Sequence, residues 1–220
     1  LWMGTFHSIF AKMLRFEADK LGYPSNFTIY DTQDSQRLIS AIIKEMGLDK
    51  DVYKYKQVYS RISSYKNSLI TVKAYFQNPE LQEADAMSKK PRLGEIYKNY
   101  VDRCFKAGAM DFDDLLLKTN ELLNRFPEVL AKYQARFKYI MVDEYQDTNK
   151  AQYTLIRMLA EKHQKEEEAL FVRLGQAATR RHRAVKGDRG YDDHGLVIVV
   201  EPHRVPHSGE AGLQIVARGD

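Results

Sequence analysis

The stretch FKYIMVDEYQDTN, residues 137–149, decides how this sequence is interpreted. Its run YIMV, residues 139–142, follows a basic residue and ends at two acids, which predicts a buried strand of a parallel sheet. Asp143 and Glu144 then stand at the carboxyl end of that strand, where α/β sheets bind their ligands. The stretch therefore predicts a ligand site at the end of a strand in an α/β sheet.

The two adjacent acids suit phosphoryl transfer. Mg²⁺ prefers hard oxygen ligands and keeps several waters, so Asp143 can hold it beside the phosphates of a nucleotide. Glu144 can orient and deprotonate the attacking water, and Gln146 can bridge the γ-phosphate and a moving element. A bare apolar run followed by two acids is also typical of a strand that meets a solvated turn. The full string through Asn149 is far more specific.

The chain before this stretch is mainly helical. Apolar residues recur at helical spacing over 8–21, 35–46, 52–69 and 93–106, and a further helix is predicted over 150–163. Asp111, with Asp114 three residues on, has the pattern of a helix N-cap, and Pro127 can open the next short helix. The acids near Asp111 could instead form a metal site, but the cap explains them better.

Composition limits the classes of protein. The 220 residues are 44% hydrophobic with a net charge of +4, enough for one medium domain or two small ones. The single cysteine, Cys104, allows no internal disulfide, so a reducing compartment is expected. Neither an apolar run of about 20 residues nor a signal-peptide pattern is present. We therefore expect a cytoplasmic protein without a membrane, and an internal piece of a longer one.

The last quarter of the chain differs in composition. Residues 165–220 hold two lysines and seven arginines, whereas residues 1–164 hold 17 and eight. The tail also has seven of the 12 glycines. This change indicates a frameshift, a fusion or read-through from a vector as readily as a second domain.

Three motifs together carry a family resemblance. GTFHS at residues 4–8, DFDDLL at 111–116 and DEYQDTN at 143–149 resemble the UvrD/PcrA/Rep family of superfamily 1 DNA helicases, in that family's order and spacing. The similarity covers about residues 1–163. It implies a motor that couples ATP hydrolysis to movement along single-stranded DNA, with junctions between single and double strands as further partners.

The resemblance also implies roles for individual residues. Asp143 would ligate Mg²⁺ in the Walker B element, Glu144 would be the catalytic base, and Gln146 would contact the bound ATP. Candidate DNA contacts are Thr5, Phe6, His7, Lys66 and Asn67.

The resemblance predicts a mainly α fold with a remnant of an α/β P-loop ATPase core. Expected domains are residues 1–30 and 109–164 for motor domain 1A, 31–108 for the helical insertion called 1B, and 165–220 for a tail that does not match. The family's GK[ST] phosphate loop, the second motor domain and its arginine fingers have no counterpart in this sequence. We therefore expect little ATP hydrolysis by this chain alone. An orphaned strand 139–142 would give marginal stability or self-association.

Two other functions stay open at this stage. The first is a non-enzymatic helical module that binds DNA or protein, since tyrosines and lysines interleave over residues 53–66. Tyrosines at helical spacing are nevertheless more typical of a core with lysines on the wet face. The second is a metal-dependent nuclease using both acidic groups, although nothing in their spacing requires them to converge.

Overall fold

The computed structural model describes residues 2–137, 139–142, 145–161 and 196–200. These form a mainly helical protein with two small sheets. The α-helices are α1 Phe6–Glu17, α2 Thr32–Glu45, α3 Tyr55–Asn67, α4 Val72–Phe76, α5 Pro79–Met87, α6 Leu93–Lys106, α7 Phe112–Arg125, α8 Pro127–Arg136 and α9 Lys150–Ala160. The strands are β1 Trp2–Thr5, β2 Thr28–Tyr30, β3 Ala109–Asp111, β4 Tyr139–Val142 and β5 Leu196–Val200, and 3₁₀ turns span Ala18–Leu21 and Tyr145–Asp147.

Helix ends follow the chemistry of their capping residues. The predicted bounds of α6 are confirmed, and α8 opens on Pro127 as expected. Helix α2 begins three residues before the predicted start because Asp31 and Asp34 form a capping box. Gly22 ends the first helical segment at φ 77°, a left-handed conformation that costs glycine little. The short helices α4 and α5 were not predicted, because their residues show little apolar periodicity and each helix has only one buried residue.

Strand β4 has the predicted bounds, but its expected parallel pairing is wrong. It pairs antiparallel with β5, which also pairs antiparallel with β1, so the sheet order is β1-β5-β4. Val199 of β5 lies opposite both Trp2 and Ile140. The run LVIVV in the tail, rich in β-branched residues, supplies backbone partners that an orphaned strand would lack. The one parallel pair in the described chain joins β2 to β3.

The apolar side chains form two cores. One packs α1, α7, α8 and α9 with the inner face of β1 and β4, around residues such as Phe10, Leu122 and Leu155. The other packs α2, α3 and α6, and its buried members all lie between Ile39 and Cys104. Helix α3 belongs to the second core but also packs against α7 and α9. Of the helices that the structure describes, none is both long and apolar enough to cross a bilayer.

Candidate nucleotide and DNA site

The structure describes the acidic motif on both sides of Asp143, the candidate Mg²⁺ ligand, and Glu144, the candidate catalytic base. Strand β4 ends at Val142, and a 3₁₀ turn over Tyr145–Asp147 leads to Asn149. Asp143 and Glu144 lie outside the described residues, and for Gln146 the structure gives only its place in the 3₁₀ turn. The motif thus begins at a strand end and finishes at a helix start.

Asn149 fixes the end of the motif onto α9. Its Oδ1 accepts a hydrogen bond of 2.9 Å from the backbone N–H of Gln152, while its own N–H donates to Gln152 Oε1 at 3.0 Å. This reciprocal capping box satisfies two helix-start donors at once. The side-chain amide of Asn149 also donates to Oδ1 of Asn67 at 2.7 Å, across to the last residue of α3. The motif is therefore tied to two helices.

Asn67 is held in turn by α7. Its Nδ2 donates to Asp113 Oδ1 at 2.8 Å and to the carbonyl oxygen of Ser63 at 3.0 Å. The carboxylate of Asp113 can only accept, so it orients the Asn67 amide with its nitrogen toward α7 and its oxygen toward Asn149. Hydrogen bonds consequently run from α7 through α3 to α9.

Lys66 lies beside this chain of contacts and is completely buried. Its Nζ is 2.7 Å from Asp111 Oδ2 and 2.8 Å from Asp114 Oδ1, with 0% of the side chain exposed. The hydroxyl of Tyr100 donates to the same Asp111 oxygen at 2.7 Å. Buried ions persist only when they are paired and hydrogen-bonded, which is the condition met here.

The cluster shifts the pKa values of its members in different directions. Burial lowers the pKa of Lys66, but the carboxylates of Asp111 and Asp114 outweigh it and raise that pKa well above its usual value. Burial raises the pKa of Asp111, yet the Lys66 charge and hydrogen bonds bring it below its usual range. Burial and the charge of Asp111 raise the pKa of Asp114 to about 6. Of the two carboxylates, Asp114 is therefore the first to take up a proton as the pH falls.

The acids of DFDD form the predicted helix cap. Asp111 Oδ1 accepts from the Asp114 backbone N–H at 2.8 Å, and Asp114 Oδ2 accepts from the Asp111 N–H at 3.2 Å. Within the part of the chain that the structure describes, no group of three or more potential ligands is arranged to hold a metal ion. The cap interpretation is confirmed, and Lys66 balances part of its negative charge.

The GTFHS segment straddles β1 and the start of α1. Thr5 is exposed and caps α1, its Oγ1 accepting from the Ser8 N–H at 3.3 Å. Phe6 is 1% exposed and belongs to the core. His7 is half-buried, and its ring packs edge-on against the ring of Phe112, with 5.7 Å between the ring centroids. The segment therefore divides into an exposed threonine, a core phenylalanine and a histidine packed on DFDD.

The comparison with known proteins decides the family. A sequence model described as the UvrD/REP helicase N-terminal domain matches residues 1–173. The chain belongs to the UvrD/REP helicase family. The matched segment includes residues 165–173, which the sequence analysis placed in the tail.

Relatives within the UvrD/REP family carry the name ATP-dependent DNA helicase PcrA. The protein of Staphylococcus epidermidis is 40% identical over 163 residues, covering 74% of this chain and 21% of that protein. The Bacillus subtilis protein is 39% identical over 170 residues, with the same shares covered, and the Staphylococcus aureus protein 40% over 162. The chain spans about a fifth of the length of these relatives.

Two predicted DNA contacts of this UvrD/REP chain are placed away from solvent. Lys66 has no exposed surface with which to reach a phosphate, because two carboxylates enclose its ammonium group. The ring of Phe6 is enclosed by the first core and has no free face for a base. In this structure Lys66 belongs to an internal ion pair and Phe6 to the hydrophobic core.

A second buried polar cluster escaped the sequence analysis. Asp85 is 2% exposed and accepts hydrogen bonds from Tyr65, from the Tyr75 hydroxyl at 2.9 Å and from Arg61 Nε at 3.0 Å. Burial, followed by the hydrogen bond to Asp85, raises the pKa of both tyrosines far above its usual value. The signal that could have found it is an aspartate two residues before the end of α5, a helix that was not predicted.

Proposed function

We propose that this chain is part of a motor that hydrolyses ATP to move along single-stranded DNA. Asp143 ligates the Mg²⁺ of bound ATP, Glu144 activates the attacking water, and Gln146 contacts the nucleotide. Family membership, together with a strand that ends one residue before Asp143, is the observation that carries the proposal. Bound Mg²⁺ would supply the charge neutralisation that phosphoryl transfer needs.

The DNA contacts in this proposal are Thr5, His7 and Asn67, the last of which ends helix α3. Thr5 is exposed at the first turn of a 12-residue helix, where backbone N–H groups and the helix dipole favour a phosphate. His7 is half-buried in the next position. Single-stranded DNA and its junctions with duplex are the proposed substrates.

Transplantation tests the motor proposal. Residues 1–163 replace the matching segment of Bacillus subtilis PcrA, and ATP hydrolysis is measured with and without single-stranded DNA. The chimera is expected to hydrolyse ATP, and Glu144→Gln to lower kcat by about 100-fold or more, the usual contribution of a general base. Glu128→Gln is the matched control, since that carboxylate is 64% exposed and should leave kcat unchanged. A folded chimera without hydrolysis, or a Glu144→Gln variant that retains it, contradicts the proposal.

The second function, a DNA-binding helical module, is supported by the outer face of α3. Lys56, Gln57, Ser60, Arg61 and Ser64 line a shallow groove there and offer hydrogen-bond donors suited to phosphates. Fluorescence anisotropy of the 220-residue chain with a single-stranded oligonucleotide and a hairpin duplex tests it across a salt titration. Lys118 of α7, whose Nζ lies 2.9 Å from Glu121 Oε2, is the control. Binding that weakens with salt, and weakens further in Lys56→Ala but not in Lys118→Ala, indicates a module that works without the motor.

A further inference from the structure

The end of the acidic motif is held by a side chain from another core. Asn149 closes DEYQDTN, and the oxygen that accepts its side-chain amide belongs to Asn67, 82 residues earlier in the chain. Its capping contacts with Gln152 fix Asn149 along α9, and the 2.7 Å contact with Asn67 is the one hydrogen bond among the described residues that ties its side chain to α3. Loss of that contact would free one side of the residue.

The orientation of Asn67 is itself determined. Three acceptors surround its Nδ2, namely the Ser63 carbonyl oxygen at 3.0 Å, the Ser63 hydroxyl at 3.3 Å and Asp113 Oδ1 at 2.8 Å. A flipped amide would turn its oxygen toward all three and its nitrogen toward the donor of Asn149. The local contacts therefore permit one orientation, and that orientation presents an acceptor to the acidic motif.

We propose that Asn67 is a positioning residue of the ATPase reaction, holding the acidic motif to helix α3 through Asn149. This inference rests on the proposed function. A displacement of α3, whose outer groove faces solvent, would pull on Asn149 through one amide pair. Residues of this type do not touch the metal or the nucleotide themselves but hold in place the groups that do. Their removal typically lowers activity about 10- to 100-fold.

Hydrogen exchange on the 220-residue chain tests the contact without requiring activity. Asn67→Asp places a carboxylate against Asp113, so exchange at 149–153 is expected to rise roughly fivefold, the equivalent of one hydrogen bond. The double variant Asn67→Asp with Asp113→Asn puts a donor where the Asp113 carboxylate was, but the new carboxylate still faces the Ser63 carbonyl oxygen, so exchange is expected to return only part of the way to the wild-type rate. Asn124→Asp is the matched control, because that amide donates within α7, to the Asn120 carbonyl oxygen at 2.8 Å.

The result that overturns the inference is unchanged exchange at 149–153 in Asn67→Asp, or no recovery in the double variant. If Asn67→Asp fails to fold, Asn149→Ser serves instead, because serine keeps the capping oxygen and has no amide to reach Asn67. Faster exchange is then expected at Thr148, whose N–H donates to the Tyr145 carbonyl oxygen at 3.3 Å, and unchanged exchange there refutes the contact.

The kinetic readout uses the chimera with PcrA. Asn67→Asp is expected to lower kcat about 10-fold, with KM for ATP within about twofold, and the double variant to recover part of that loss. A purely structural role would lower the folded fraction instead and leave kcat per folded molecule unchanged. An inactive unaltered chimera would count against the proposed function alone, since the exchange experiment decides the contact independently.

Discussion

Replacing Lys66 by methionine isolates the energy of the buried ion pair. Methionine is close in length and apolar, so the packing is largely kept while Asp111 and Asp114 lose the ammonium group that lies 2.7 and 2.8 Å away. Removing one partner of a buried pair typically costs about 3–5 kcal/mol, because the other charge remains in a site of low polarity. The two remaining carboxylates also repel each other.

Protonation sets an independent bound on that cost. A carboxyl with an ordinary pKa near 4 can be neutralised at pH 7 for about 4 kcal/mol, at about 1.4 kcal/mol per pH unit. Asp114 is the group that takes the proton, since its pKa is already raised to about 6. We therefore expect Lys66→Met to lower the free energy of unfolding by about 4 kcal/mol at pH 7.

The assay is urea unfolding of the 220-residue chain, followed by far-ultraviolet circular dichroism. The native state of the variant binds one proton more than its unfolded state, so its deficit should shrink by about 1.4 kcal/mol per unit as the pH falls from 7.5 toward 6. Below about pH 6 the dependence flattens, because Asp114 of the wild-type chain also takes up a proton.

Lys20→Met is the matched control for that experiment. Its Nζ lies 3.8 Å from Glu128 Oε1, and the two side chains are 32% and 64% exposed. An exposed pair of this kind contributes below about 1 kcal/mol. The reasoning would be refuted if Lys66→Met lowered the free energy of unfolding no more than Lys20→Met does, or if that decrease did not change with pH.

Three further predictions concern single sites. The Asp114 carboxyl should titrate in NMR near pH 6, and at a lower pH in Asp111→Asn, because the charge of Asp111 helps to raise the pKa of Asp114. Because folding raises this pKa, the Asp114 carboxyl stabilises the fold below its unfolded pKa, and that contribution is lost as the pH rises through about 6. Gly94→Ala should lower the free energy of unfolding by about 1–3 kcal/mol in a urea titration, because a Cβ there would lie 2.3 Å from Cε1 of the buried Tyr75 ring. Cys104 should react with a thiol reagent only on unfolding, since burial raises its pKa to about 12; rapid labelling of the native chain would contradict its placement.

Local chemistry made part of the fold predictable. The capping box of Asp111 with Asp114 and the end of the first helical segment at Gly22 follow from residues close in sequence. The bounds of β4 follow from its apolar run. The strand that pairs with β4 does not follow from that run, because the partner of a strand can lie anywhere along the chain.

The site shows the same division between local and distant information. Lys66 stands four residues after Ile62 and seven after Tyr59, which is the buried spacing of a helix. Periodicity therefore carried a signal for its burial, and the assignment to DNA overrode it. Its partner Asp111 is 45 residues away, a distance over which spacing gives no contact. The link from Asn67 to Asn149 was hidden for the same reason.

The order of strands in the main sheet has a consequence for synthesis of the chain. β1 is made first and β4 about 140 residues later, but the strand between them is complete only at Val200. A ribosome therefore releases the helices of both cores well before the sheet can close. Until then β1 and β4 each carry unpaired backbone edges, which other nascent chains can extend. Elongation that slows ahead of residue 196 would lengthen this exposure and favour aggregation on the ribosome.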